Sequence, residues 1–103
     1  MLGKLDDRQR VDLEAAAFRR LVAHLGNRTD VQNIDLMNLS GFCRNCLANW
    51  LKDAADEQGM ALSKEESRQY VYGMPYEDWK QRFQNEATQE QKEAFKEAFK
   101  NHG

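Results

Sequence analysis

The sequence is short of the residues from which most recognisable sites are built. It has two cysteines and two histidines. A closed zinc centre needs four ligands, and there is no second Cys-x-x-Cys. The most the chain offers one metal ion is Cys43, Cys46, His24 and a carboxylate. One proline and six glycines leave no glycine-rich phosphate loop, because the glycines fall between periodic segments. No Ser-His-Asp order and no His-Glu-x-x-His occurs, so no catalytic constellation is recognised. Valine, isoleucine and threonine are scarce, which disfavours strands. No apolar run approaches the ~18 residues of a spanning helix. The N-terminal residues lack a basic segment followed by an apolar one, so a signal peptide is not expected and a cytoplasmic location is. In a reducing compartment two cysteines are thiols or ligands before they are a structural disulfide.

Neither sign of charge predominates. The net charge of -2 argues against a partner recognised by phosphate neutralisation. Arg8, Arg10, Arg19 and Arg20 stand among Asp6, Asp7, Asp12 and Glu14, which reads as a solvated helix face. Neither nucleic acid nor a membrane is expected as a partner.

What is present is helical. Alanine, leucine, glutamate, glutamine, lysine and arginine are common, and 41% hydrophobic with 31% charged residues is a globular balance. A chain of 103 residues is one domain with one modest core. The stretch 40–51, from Ser40 to Leu51, organises the rest: it holds both cysteines and Trp50. Apolar residues at 42, 43, 46, 47, 50, 51, 54 and 55 repeat as one buried helix face.

The first helix is expected over 7–25, capped by Asp6 or Asp7 and ended by Gly26-Asn27. Its apolar stripe is Val11, Ala15, Phe18, Leu21, Val22 and Leu25. A second helix begins near Val31, with Thr29 and Gln32 fitting a capping box and Asp30 a competing cap. It could run unbroken over 31–58, but it would then be ~42 Å long in a domain whose radius of gyration should be ~13 Å. Asn38, Ser40 and Gly41 favour a break, with Ser40 capping the central helix. That helix ends at Gly59, and Met60-Ala61-Leu62 should tuck into the core. Ser63 with Glu66 and Thr88 with Gln91 are further capping boxes. Between them a short helix stops at Gly73, and Pro75 opens one carrying Tyr76, Trp79 and Phe83. The last helix carries Phe95 and Phe99 and runs towards Lys100 and His102.

Three groups could carry function. Cys43 and Cys46 share one helix face; they suit a small buried core, a metal ion held with His24, or redox sensing. A Ser40 cap would put Cys43 in the first turn, where the helix dipole lowers a thiol pKa. His24, late in the first helix, also complements that dipole with no further role. Tyr70, Tyr72, Tyr76, Trp79 and Phe83 either fix a helix corner or line a pocket. Asp30, Gln32, Asn33, Asp35 and Asn38 form a polar run unusual for a helix, placed to cap neighbours or to point into a cleft.

The runs 30–39 (DVQNIDLMNL), 41–47 (GFCRNCL) and 72–80 (YGMPYEDWK) together resemble a family of short bacterial proteins of this length, a domain of unknown function. The resemblance implies a stand-alone multihelical protein and brings no activity, cofactor or catalytic residue.

The expected fold is all-α, five or six helices in an irregular array around the Cys-x-x-Cys helix. The expected function is a protein-interaction module that self-associates as a homodimer. More apolar seams are present than so small a core hides. The alternative is a thiol-based metal or redox protein using Cys43 and Cys46.

Overall fold

The computed structural model describes residues 3–99. Among them are six helices and no strand: α1 (Asp7–Gly26), α2 (Asn33–Ser40), α3 (Arg44–Glu57), α4 (Lys64–Tyr72), α5 (Tyr76–Phe83) and α6 (Gln89–Phe99). The expected end of the last helix at Lys100, His102 and Gly103 lies outside the described residues.

Local chemistry sets most of the boundaries. Asp6 caps α1 in a reciprocal box with Gln9. Ser63 and Glu66 do the same for α4, and Thr88 and Gln91 for α6. Each box satisfies two backbone N–H groups that a helix start leaves without partners. Gly41 and Gly73 end α2 and α4 in the left-handed region, at φ 81° and 73°. At the end of α3 the N–H of Met60 donates to Ala55 O and that of Gly59 to Asp56 O, the paired bonds of a Schellman motif.

The chain therefore breaks at Gly41, but Ser40 is not the new cap. Its hydroxyl donates back to Leu36 O at 2.8 Å, and Cys43 occupies the cap of α3. The box expected of Thr29 and Gln32 is displaced too. Gln32 is the cap of α2 and Asp35 its partner, and α2 starts at Asn33. Asp30 pairs with Arg28 instead.

The core gathers Leu25 from α1, Leu47 and Ala48 from α3 and Val71 from α4, with Phe18, Leu21, Leu36 and Phe42 packed around them. Fully burying a side chain such as Leu47 or Val71 contributes about 1.5–3 kcal/mol. α3 against α4 is the most extensive helix pairing. The central helix buries Arg44, Leu47, Ala48 and Ala55, a face rotated from the one its apolar pattern suggests. Trp50, expected inside, is 54% exposed and touches Phe42 at 5.9 Å. Met60 and Ala61 are exposed as well; the Schellman turn carries them past the core, and only Leu62 is half-buried.

The radius of gyration is 16.0 Å and the extents are 48 × 32 × 27 Å, larger than the ~13 Å of a tightly packed chain of this length. α1, 20 residues long, would span ~30 Å. It docks through Phe18, Leu21 and Leu25, while Val11 and Leu13 in its first half stay exposed.

Candidate functional site

The most constrained polar group in the molecule is Arg44. An arginine in the first turn of a helix opposes the helix dipole, so its side chain needs another reason to be there. The structure supplies one. The guanidinium is 1% exposed and crosses to the connector that follows α1. Nη2 donates to Leu25 O at 3.3 Å and to Arg28 O at 2.8 Å. Nη1 donates to Val31 O at 2.9 Å and to Asn33 Oδ1 at 3.0 Å. The buried Trp79 ring lies 4.9 Å away. A cation thus meets the negative end of α1 and three other acceptors, with no carboxylate among the described residues bonded to it. Burial pulls its pKa down, opposed by the negative charge that Tyr72, Cys43 and Asp30 carry when ionised.

From Arg44 a chain of hydrogen bonds runs outward. Asn33 Nδ2 donates to Tyr72 Oη at 3.0 Å, and Tyr72 Oη donates to Asn45 Oδ1 at 2.8 Å. Asn45 Nδ2 reaches Tyr76 Oη at 3.4 Å. Burial pushes the Tyr72 phenol far above its usual range, so it remains a neutral donor. Tyr72 packs against both Tyr76 and Trp79, with centroids 4.9 and 5.0 Å away, and Trp79 packs against Phe83 at 5.9 Å; these tilted ring contacts fix the α4–α5 corner. Tyr70 faces elsewhere and stacks on Phe18.

Beside this chain opens a cleft of about 250 Å³ whose walls include Asn33, Asn45, Tyr76, Asn85 and Glu86. The buried Gln32 also lines it. Its amide donates to Phe83 O at 2.8 Å and accepts from the Asn85 N–H at 2.9 Å, pinning the segment after α5. The remaining polar residues of the run do structural work. Asp35 Oδ1 accepts from Gln91 Nε2 at 2.9 Å and Asn38 Nδ2 donates to Gln91 O at 3.1 Å, holding α6 to α2.

The thiols lie on the same helix end. Cys43 is buried and Cys46 half-buried, and both are free. Burial pushes the Cys43 thiol up; the backbone N–H groups of Cys46 and Asn45 pull it back only partly, and the neighbouring Cys46 thiol raises it again. The lowered thiol pKa expected from a Ser40 cap is therefore corrected: Cys43 is itself the cap, and desolvation outweighs the dipole. His24 is exposed on α1. Among the described residues no three or more His, Cys, Asp or Glu side chains gather as a metal ion would need, so His24 is not assembled with the two thiols.

Sequence reasoning reached Asn33, Tyr72 and Tyr76, saw Arg44 only as positive charge near the Cys43 thiol, and did not single out Asn45. The unfavourable place of Arg44 on the dipole was the available signal.

The chain belongs to the family described as protein of unknown function DUF1244, whose model matches residues 31–97. The matched span takes in α2 to α5 and most of α6 and begins beyond α1. No curated protein matches the chain. No helix among the described residues is long and apolar enough to cross a membrane.

Proposed function

We propose that this DUF1244 protein is a cytoplasmic interaction module that self-associates, two copies pairing through antiparallel α1 helices. The observation that carries the reading is the unpartnered first half of α1. The stripe that docks through Phe18 and Leu25 continues to Val11, which the body of the protein does not cover. On the opposite side of α1, Leu13, Ala16 and Ala17 form a second exposed apolar strip, and its two alanines permit a close helix approach.

Charge selects the occupant. Residues 6–14 carry four acids and two arginines, whereas 15–26 carry Arg19 and Arg20 and no acid. A second copy laid antiparallel sets each acidic half against a basic one and satisfies two-fold self-complementarity. Sedimentation velocity from low to high micromolar concentration tests this. The expected result is a concentration-dependent dimer that Leu13→Asp converts to a monomer of unchanged helicity. A monomer at every concentration overturns it.

A second reading, a metal or redox function of Cys43 and Cys46, rests on the adjacency of the thiols at the start of α3. Metal analysis of protein purified without chelator, with thiol-reactivity profiles, tests it. Absence of metal together with two inert thiols removes it.

A further inference from the structure

The hydrogen-bond chain that leaves Arg44 has only one possible direction. A guanidinium donates and never accepts. Asn33 must therefore turn its oxygen to Arg44 and its NH₂ to Tyr72. Having accepted there, Tyr72 donates to Asn45 Oδ1. The Asn45 NH₂ is then the group facing the Tyr76 oxygen. Each link uses an acceptor and passes a donor outward. What the chain leaves over is one N–H of Asn33, one N–H of Asn45 and the O–H of Tyr76. All three residues line the cleft.

The consequence is a cluster of fixed donors backed by a buried cation. Two cations lie over the Tyr76 ring, the Arg68 guanidinium 4.7 Å and the Lys80 ammonium 5.0 Å from its centroid, the latter paired with Glu77 at 3.2 Å. Such a wall is complementary to the oxygens of an anion. The same cleft is lined by one carboxylate, Glu86, which repels a second negative charge and attracts an ammonium. About 250 Å³ is below the ~300–1,000 Å³ of drug-sized pockets. The three runs that carry the family resemblance also converge here: Asn33 from the first, Arg44 and Asn45 from the second, Tyr72, Tyr76 and Trp79 from the third.

We infer that this cleft binds a small zwitterion of the amino-acid type, its carboxylate on the Asn33, Asn45 and Tyr76 donors and its ammonium towards Glu86. The two sources of that chemistry are a free amino acid and a compact dipeptide. No residue of α1 lines the cleft, and the inference does not rest on the proposed pairing.

The test is a titration of the full chain, followed by amide NMR shifts and calorimetry. The probes are the twenty free amino acids, glycylglycine, succinate and ethanolamine. The expected result is saturable binding of one or more zwitterions, with shifts at Asn33, Asn45 and Asn85. Free amino acids and glycylglycine distinguish the two sources. Tyr76→Phe keeps the ring and removes the O–H donor, and should weaken binding about tenfold or more, as loss of a hydrogen bond to a charged group does. Glu86→Gln, at an exposed position, should narrow the preference for the zwitterion over succinate. No saturable shift with any zwitterion, or equal affinity for wild type and Tyr76→Phe, overturns the inference. So does tighter binding of succinate than of every zwitterion by the wild-type chain.

Discussion

Replacing Arg44 by methionine tests whether the buried guanidinium holds the connector, α2 and the aromatic corner in register. Methionine keeps the length and packing of the stem and removes every donor. Four acceptors lose a partner, but not equally. Leu25 O still receives the Arg28 N–H and Arg28 O the Val31 N–H, each within 3.1 Å. Val31 O and Asn33 Oδ1 depend on the guanidinium. Two acceptors left without a donor cost about 1–3 kcal/mol each. Loss of the desolvated stacking on Trp79 adds up to about 2 kcal/mol. Against this, methionine no longer buries a charge, which returns part of the desolvation penalty. The net expectation is a destabilisation of about 3–5 kcal/mol, a large share of the ~5–15 kcal/mol available to a domain. Lysine has three donors and no planar fork, so Arg44→Lys should fall between wild type and Arg44→Met. Urea unfolding followed by far-UV circular dichroism measures both. A loss below about 1 kcal/mol for Arg44→Met, or a lysine variant as stable as wild type, would falsify the assignment of Arg44 as the hub.

Other variants probe separate parts of the account. Gly41→Ala meets open space but keeps a left-handed backbone, so it should cost about 1–2 kcal/mol from backbone conformation alone, read by the same unfolding curves. Ser63→Ala should cost about 0.5–2 kcal/mol through the lost α4 cap. The Ser63 backbone N–H, followed by its side chain, holds the Glu66 carboxyl below its usual range. That contribution is full above the unfolded-state pKa and disappears as pH falls through the lower folded-state value; Glu66→Gln should flatten this part of the pH–stability curve, and an unchanged acid limb would contradict it. Trp50→Phe should leave stability within about 0.5 kcal/mol and remove the red-shifted part of the emission, whereas Trp79→Phe should destabilise and remove the blue-shifted part. Because burial raises the Cys43 thiol, its alkylation in a Cys46→Ser variant should remain slow at neutral pH and accelerate only above the ordinary thiol range; rapid reaction at pH 7 would refute the desolvated environment.

The legible parts of the fold were the local ones. Capping pairs and helix-ending glycines act within one turn, so Ser63 with Glu66, Thr88 with Gln91 and the stops at Gly41, Gly59 and Gly73 could be read directly. The buried face of α3 could not. Its pattern of cysteines and Trp50 pointed one way, but the side chain that decided the rotation was Arg44, whose acceptors lie 11 to 19 residues away. An arginine reads as solvated until those carbonyls are known to converge on it. Once Arg44 turns inward, Ala48 follows it into the core and Trp50 swings out. The displaced cap has a related cause: Ser40 can bond back to α2, and the extended backbone at Cys43 starts α3 later. In the cleft, the tyrosines and Asn33 were visible as unusual residues, but the direction of their hydrogen bonds depends on Arg44 and hence on tertiary structure.

The antiparallel pairing of α1 is tested most directly by charge exchange. Asp12→Lys with Glu14→Lys makes the first half of α1 basic, and Arg19→Glu with Arg20→Glu makes the second half acidic. Each variant alone then sets like charges together in an antiparallel pair, and an equimolar mixture sets opposite charges together. The prediction is two monomeric variants that form a heterodimer when mixed, seen by native mass spectrometry. Two variants that each remain dimeric, or a mixture that stays monomeric, would contradict the pairing.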